Sequence, residues 1–284
     1  AATIDRVCSS GLQAVAQATQ AVMSGWQDVV VAGGVEMMSQ VPMSGYHTRL
    51  HPELTESYIG MGFTAERVAT RWTVTREDQD AYAFESQQKA ARALDSGAFR
   101  DQIEPVVVQR VTWEGATKQV EEWRFDRDET PRPETTREGL AKLRPAFKVN
   151  GTVTAGNASP YSDGSAALVV MRADKAKADG LAPMAKLLGY AVGGVAPDVM
   201  GMGPIAAVPK VLKQVGLTMR DIALVEFNEA FASQALAVAR DIALAELSGA
   251  HIHFRQVTTA RALDLVRAAK ARGVKVTAGV TPAH

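Results

Sequence analysis

The chain has a single cysteine, and it stands where a helix is predicted to begin. Cys8 precedes apolar residues that recur at helical spacing from Leu12 to Met23, and Gly25 can end that helix. The unpaired N–H groups and the dipole of a helix N-terminus stabilise an anion, and the charge of Arg6 lies nearby. The pattern therefore permits a thiolate nucleophile for acyl transfer. The alternative, favoured by geometry alone, is a small buried hydrophobic residue.

Length and composition set the broad class. The chain has 284 residues, enough for about two domains, and its 31 Lys+Arg balance its 31 Asp+Glu. This balance gives no reason to expect nucleic acid or an anionic membrane as a partner. One cysteine excludes an internal disulfide framework and fits a reducing compartment, so we expect a cytoplasmic protein. No apolar run approaches the roughly 20 residues needed to cross a bilayer.

Helices and strands are predicted along the first part of the chain. Buried strands are expected at Asp28 to Ala32 and at Ala166 to Met171. The more polar stretch from Glu36 to about Asn150 is expected to leave the core domain. Within it, a capping box at Thr75 to Asp78 begins a long helix that Gly97 ends.

The second part shows a further helix and strand. A helix is predicted from Gly203, with Pro204 in its first turn, to Gly216. A capping box at Thr218 to Asp221 and a strand at Leu224 to Phe227 follow.

One loop and two single residues outside these elements each have a functional and a structural interpretation. The loop from Thr154 to Gly164 exposes N–H and hydroxyl donors that suit a polar ligand, although most such loops are only turns. Asn228 can simply cap the helix that follows it. Met61 is explained about as well by apolar packing as by a role at a site.

The segment Cys8-Ser9-Ser10-Gly11-Leu12-Gln13-Ala14, followed by Val30 to Ser39, closely resembles the nucleophile region of thiolases, the acetyl-CoA acyltransferases. The resemblance implies that Cys8 is acylated during cleavage or formation of a 3-oxoacyl-CoA. Acyl-CoA and CoA would be substrates, with no permanently bound cofactor. It also implies a layered α/β/α fold with a loop domain, assembled as homodimers or homotetramers through the core sheets.

The same resemblance assigns roles to three further residues. Gly60-Met61-Gly62 is similar to the thiolase segment that covers the acyl chain. Gly60 stands where short-chain members have a histidine, which favours the degradative, broader-chain members. Ser159 would contact the pantetheine arm of coenzyme A. Asn228, in Asn228-Glu229-Ala230-Phe231, would orient a water that forms an oxyanion hole together with a histidine.

The thiolase resemblance is expected to end near residue 240. The family's Gly-His-Pro histidine and second reactive cysteine do not occur in the sequence, which predicts a truncated chain with crippled catalysis. From about Val238 the tail resembles dihydroorotase, an amidohydrolase-superfamily barrel, and its periodicity gives strand, helix, strand. His251 and His253 alternate as metal ligands can on a strand. The other dihydroorotase ligands have no counterparts, so no metal site is predicted.

These inferences give a domain plan and an ordered set of functions. We expect an incomplete N-terminal thiolase domain at 1–181 with its loop domain at about 36–150, the start of a C-terminal thiolase domain at 182–240, and a dihydroorotase-like β-α-β tail at 241–284. The first function is a thiolase-type acyltransferase. The second is a non-catalytic CoA-binding or oligomerisation remnant, and the third is an amidohydrolase fragment without a complete metal site.

Overall fold

The computed structural model describes residues 1–41, 51–240, 252–255 and 276–279. The chain divides into two compact units. The first comprises 1–53, 161–194 and 206–216, and the second comprises 54–160, 195–205 and 217–284. The described helices are α1 Ser10–Met23, α2 Met61–Arg71, α3 Arg76–Asp95, α4 Arg137–Ala141, α5 Ala173–Ala178, α6 Gly203–Val215 and α7 Ala232–Arg240; the strands are β1 Val29–Met37, β2 Val106–Glu114, β3 Thr117–Phe125, β4 Asp163–Met171, β5 Ile252–Arg255 and β6 Val276–Gly279.

The predicted first helix is present in the first unit. A 3-10 turn, Val7–Ser9, leads into α1. At the other end Gly25 adopts a φ of 76°, and the Trp26 N–H donates to the Ala21 carbonyl at 3.2 Å. This left-handed glycine end satisfies carbonyls that the last helical turn leaves free. The helix prediction is confirmed, with α-helical bonding beginning two residues after Cys8.

The two predicted strands of the first unit pair with each other. β1 runs antiparallel to β4, with Val29 opposite Met171 and Met37 opposite Asp163. α1 packs on this pair, and Ala32 is buried. The prediction that both strands are buried was wrong, because Val31 and Val169, which face each other across the ladder, are 70% and 62% exposed. Among the described residues no third strand joins this sheet. α1 packs on β1 and β4, while Val31 and Val169 stay exposed.

The core of the second unit is built mainly from helices. α2, α3, α7 and the 3-10 segment Pro197–Met202 converge there. Burying each Val, Leu or Met side chain stabilises the unit by roughly 1.5–3 kcal/mol relative to leaving it in water. The buried cluster consists of Val68, Ala69, Val74, Tyr82, Val199, Met202, Ala232, Ala235, Leu236 and Ala237.

The long helix α3 has the predicted ends. The Thr75 hydroxyl accepts the Asp78 N–H at 3.1 Å, and Gly97 has a φ of 69°. An N-cap of this kind typically stabilises a helix by about 1 kcal/mol. The helix prediction for this stretch is confirmed.

A β-hairpin in the second unit was not predicted. β2 and β3 pair antiparallel from Val106 opposite Phe125 to Glu114 opposite Thr117. Their two-residue loop begins with Gly115 at a φ of 61°, as tight hairpin loops require. Interspersed charges hid the apolar alternation that marks a strand.

The second part of the chain confirms one helix and corrects one strand. α6 ends before Gly216, whose φ is 69°, and the Thr218 N–H donates to the Asp221 carboxylate at 2.8 Å in the predicted capping box. The strand predicted at Leu224 to Phe227 was wrong. In this stretch only Val225 forms a β-bridge, and no continuous pairing with another strand of the described chain extends it into a strand.

The tail contains a parallel pair of short strands. β5 and β6 pair with Ile252 opposite Val276. The strands that the tail's periodicity predicts are confirmed in type, and the helix expected between them lies outside the described residues. That this pair belongs to a barrel stays a prediction. No helix in the described part of the chain is long and apolar enough to span a membrane.

Candidate functional site

Cys8 is exposed, in the 3-10 turn that precedes α1. The interpretation of Cys8 as a buried hydrophobic residue was therefore wrong. The residue before it, Val7, has a φ of 49°, which is strained for a β-branched side chain. Hydrogen bonds hold this conformation on both sides: the Val7 N–H donates to the Asp5 carboxylate at 2.8 Å, and the Ser10 hydroxyl donates to the Val7 carbonyl at 2.7 Å.

Arg6 is anchored beside this turn. Its Nη1 donates to the Gln13 Oε1 at 2.8 Å and lies 3.5 Å from the Tyr190 hydroxyl, which also donates to Gln13 Oε1 at 2.8 Å. The guanidinium therefore bridges α1 and the chain near Tyr190 within the first unit. The exposed Cys8 thiol, two residues after Arg6, is accessible to an electrophilic carbon.

The segments that carry Ser159 and Asn228 are joined in the second unit. The Ser159 N–H donates to the Ala230 carbonyl at 2.9 Å, and Ala158 and Phe231 form an antiparallel bridge. The side chains of Ser159 and Asn228 are both exposed. Two exposed polar side chains on directly bonded segments can contact one ligand.

Asn228 does not cap α7. The helix begins at Ala232, four residues further on, and the Ala232 N–H donates to the Asn157 carbonyl at 3.0 Å. The capping interpretation was wrong because the chain pairs with the neighbouring loop before it enters the helix. The exposed Asn228 amide is thus left available in the loop that leads to α7.

Met61 is the first residue of α2 and is half-buried. Three rings connect this helix end to the Asn228 segment: Phe147 makes edge contacts with Phe63 at 6.5 Å and with Phe231 at 6.2 Å. The second unit therefore gathers the segments of three predicted site residues. Cys8 belongs to the first unit, and its approach to the other three stays a prediction.

Two buried polar residues near this site were missed. Asn157 lies inside the loop from Thr154 to Gly164, where its 3% exposure could not be read from sequence. Asp80 occupies α3 and is also buried, and its Oδ2 accepts a 2.6 Å hydrogen bond from Arg76. A buried amide beside a buried, paired carboxylate indicates a rigid scaffold rather than a mobile turn.

Glu229 was also missed, although it belongs to the segment Asn228-Glu229-Ala230-Phe231 that resembles thiolases. Burial raises its pKa to about 9, against the opposing effects of a hydrogen bond with Tyr82 and the charge of Lys89. Burial in turn lowers the pKa of Lys89. The raised pKa favours the protonated acid at neutral pH in this partly buried residue, which is next to the exposed Asn228 in the chain.

The described residues contain no group of three or more His, Cys, Asp or Glu that could hold a metal ion. His251 lies outside the described residues, and His253 falls on β5. The expectation of no metal site therefore stays a prediction.

Both halves of the chain match known thiolase domains. The family model for the thiolase N-terminal domain matches residues 1–174, and that for the C-terminal domain matches residues 181–258. A relative named 3-ketoacyl-CoA thiolase, from Bacillus subtilis, is 51% identical over 251 residues, which are 87% of this chain and 64% of the relative. The chain thus spans less than two thirds of that relative's length.

Two solved structures have the same fold. The acetyl-CoA acetyltransferase of Bacillus anthracis aligns with a TM-score of 0.70 and 37% identity, over 99% of this chain and 75% of that one. The dimeric peroxisomal thiolase of Saccharomyces cerevisiae aligns with a TM-score of 0.74 and 38% identity, over 84% of this chain and 61% of that one. These likenesses define an α/β protein with a thiolase-like fold. The chain belongs to the thiolase family.

Proposed function

We propose that this sequence carries out acyl transfer of the thiolase type. The Cys8 thiolate attacks the 3-oxo carbon of a 3-oxoacyl-CoA, and the bond between carbons 2 and 3 breaks. The departing carbanion takes a proton and leaves as acetyl-CoA, while the shortened acyl group stays on the sulfur as a thioester. The thiol of a second CoA then accepts the acyl group and restores Cys8.

The observation that carries this proposal is the exposed Cys8 in a strained turn at the start of α1. An exposed thiol can reach a thioester substrate, whereas a buried structural cysteine is inert. The relative named 3-ketoacyl-CoA thiolase supports the choice of substrate class.

The other three site residues complete the proposal. Ser159 contacts the pantetheine arm, Asn228 orients a water toward the oxyanion, and Met61 covers the acyl chain. Their support is the bonding of the Ser159 and Asn228 segments and the ring contacts that reach α2. Gly60, which precedes α2, stands where short-chain members have a histidine, so we propose a degradative enzyme of broad chain length.

The first half-reaction is the direct test. The purified chain is mixed with excess acetoacetyl-CoA, without added CoA, and acetyl-CoA is quantified by chromatography. We expect release of about one equivalent per chain, because the acetyl-enzyme cannot be discharged. The folded Cys8→Ser variant should release none. Equal release from both proteins would contradict the proposal, as would no release from the folded wild type.

A non-catalytic CoA-binding remnant is the second candidate. The bonded segments of Ser159 and Asn228 lie wholly in the second unit, so that part of the site is formed without Cys8. This candidate predicts CoA binding with no acetyl-CoA release. A single-turnover assay detects acetyl-CoA release even at a rate about 10³-fold below that of a full catalytic set, so it separates the two candidates.

Assembly, compartment and domain plan are part of the same proposal. We propose a homodimer or homotetramer, for which the dimeric yeast thiolase and the uncovered face of β1 and β4 are the support. We place the protein in the cytoplasm because its single cysteine suits a reducing compartment. CoA acts as a substrate, and no cofactor is permanently bound. The thiolase domains occupy 1–181, with the loop domain at about 36–150, and 182–240.

The tail at 241–284 stays a separate proposal. The parallel pairing of β5 with β6 is compatible with a dihydroorotase-like β-α-β fragment, but parallel pairs also occur in other α/β folds, and the Bacillus anthracis structure aligns with 99% of this chain. The thiolase C-terminal match counts against its first part, because that match continues to residue 258.

A further inference from the structure

The Asn157 side chain uses both ends of its amide. Its Oδ1 accepts the Thr154 N–H at 2.8 Å. Its Nδ2 donates to the Asp80 Oδ1 at 3.0 Å and to the Thr152 carbonyl at 3.1 Å. A buried amide with both donors and its acceptor satisfied has one allowed orientation, because any rotation would leave a polar atom unpaired.

The partner of Asn157 on α3 is itself fixed. Asp80 accepts from Arg76 Nε at 2.6 Å, and Arg76 Nη2 donates to the carbonyls of Leu140 at 2.7 Å and Leu143 at 3.0 Å. A carboxylate that is buried and paired in this way is a stable acceptor. Asn157 is therefore held against α3 rather than against a mobile loop.

The backbone of Asn157 begins the pairing between the two candidate site segments. Its carbonyl accepts the Ala232 N–H, and two residues later the Ser159 N–H donates to the Ala230 carbonyl. These two bonds flank the bridge between Ala158 and Phe231. A shift of Asn157 would therefore move Ser159 and loosen the segment that follows Asn228.

We propose that Asn157 is a positioning residue, which fixes the pairing of the Ser159 loop with the Asn228 segment and so sets the geometry of the CoA site. The part concerning CoA rests on the proposed function. The part concerning the pairing does not, so the two are measured separately. Asn157 acts through the segments it holds and contacts no substrate itself.

The pairing is measured by amide hydrogen exchange in Asn157→Ala. We expect the Ser159 and Ala232 amides to exchange at least about tenfold faster than in wild type, because both bonds depend on the loop that Asn157 anchors. The matched control is Asp198→Asn. Asp198 is a buried acid of the same unit that pairs with Arg71 at 2.6 Å and lies outside this pairing. Its variant should destabilise the unit while leaving those two amides protected relative to their neighbours.

The CoA site is measured by equilibrium dialysis with CoA. Asn157→Ala should weaken CoA binding about tenfold, and Asp198→Asn should leave it unchanged. Asn157→Asp should be worse than Asn157→Ala, because it places a second carboxylate against Asp80. The double variant Asp80→Asn with Asn157→Asp restores a carboxylate–amide pair in reverse, without the bond to the Thr152 carbonyl, and should bind CoA more tightly than Asn157→Asp alone.

The exchange and binding results together test the positioning role of Asn157 and the CoA site. Unchanged exchange at Ser159 and Ala232 in Asn157→Ala would overturn the positioning role, as would equal loss of CoA affinity in Asp198→Asn. Faster exchange in Asn157→Ala, combined with a wild-type chain that binds no CoA, would support the pairing role and contradict the proposed function at Ser159.

Discussion

At the scale of single residues, two side chains have unusual environments: the exposed thiol of Cys8 and the carboxyl group of Glu229, whose pKa is raised. Cys8 is exposed and free, whereas Glu229 is held protonated by burial that raises its pKa to about 9. Tyr82 and Lys89 favour the ionised form but do not overcome the cost of burying it. Sequence indicated Cys8 through its motif. Nothing local distinguishes Glu229 from a solvated acid, because its burial is produced by packing between distant segments.

The raised pKa predicts a pH-dependent contribution to stability. The folded state keeps the Glu229 proton up to about pH 9, while the unfolded chain loses it near its ordinary pKa of 4.5. The stabilisation present below the unfolded pKa is therefore lost as pH rises through this window, by at most about 1.4 kcal/mol per pH unit. Glu229→Gln mimics the neutral acid and should gain stability relative to wild type from pH 5 to pH 8.

Denaturant unfolding of both proteins between pH 5 and pH 8 measures this gain. Glu121→Gln changes an exposed acid on β3 and serves as the control, with no such trend relative to wild type. Parallel stability curves for Glu229→Gln and wild type would show that Glu229 is ionised in the folded state.

At the scale of elements, the ends of helices were predictable from sequence, whereas the pairing of strands was not. α3 begins and ends where Thr75 and Gly97 indicate, because capping hydrogen bonds and left-handed glycines are local. The strand expected at Leu224 to Phe227 was wrong, and the hairpin of β2 and β3 was missed. Both depend on which segment lies alongside, which no short pattern specifies.

The start of α2 gives a test of element packing. A Cβ on Gly62 would overlap the ring of Phe147, which touches Phe63 and Phe231. The overlap in Gly62→Ala should therefore destabilise the second unit by about 1–3 kcal/mol. The higher helix propensity of Ala should offset up to about 1 kcal/mol of this loss.

A double-mutant cycle separates the two effects. In a Phe147→Ala background the overlap is gone, so the same Gly62→Ala change should be neutral or stabilising by up to about 1 kcal/mol. Chemical denaturation provides all four free energies of unfolding. An equal loss in both backgrounds would mean that the ring does not constrain this helix end.

At the scale of the whole molecule, family and fold class were predictable from sequence, since the nucleophile segment and the Asn-Glu-Ala-Phe segment are long and specific. The thiolase matches over 1–174 and 181–258 confirm that part. The scaffold behind the site was not predictable. Asn157, Asp80 and Arg76 meet across 81 residues of sequence, and only folding brings such residues together.

The measurement closest to the central claim is the intact mass of the chain after exposure to acetoacetyl-CoA. We predict a species heavier by one acetyl group, absent from Cys8→Ser and removed by added CoA, with the acetyl group located on the Cys8 peptide by fragmentation. A folded wild-type chain without this species, or an acetyl group on another residue, would contradict the account.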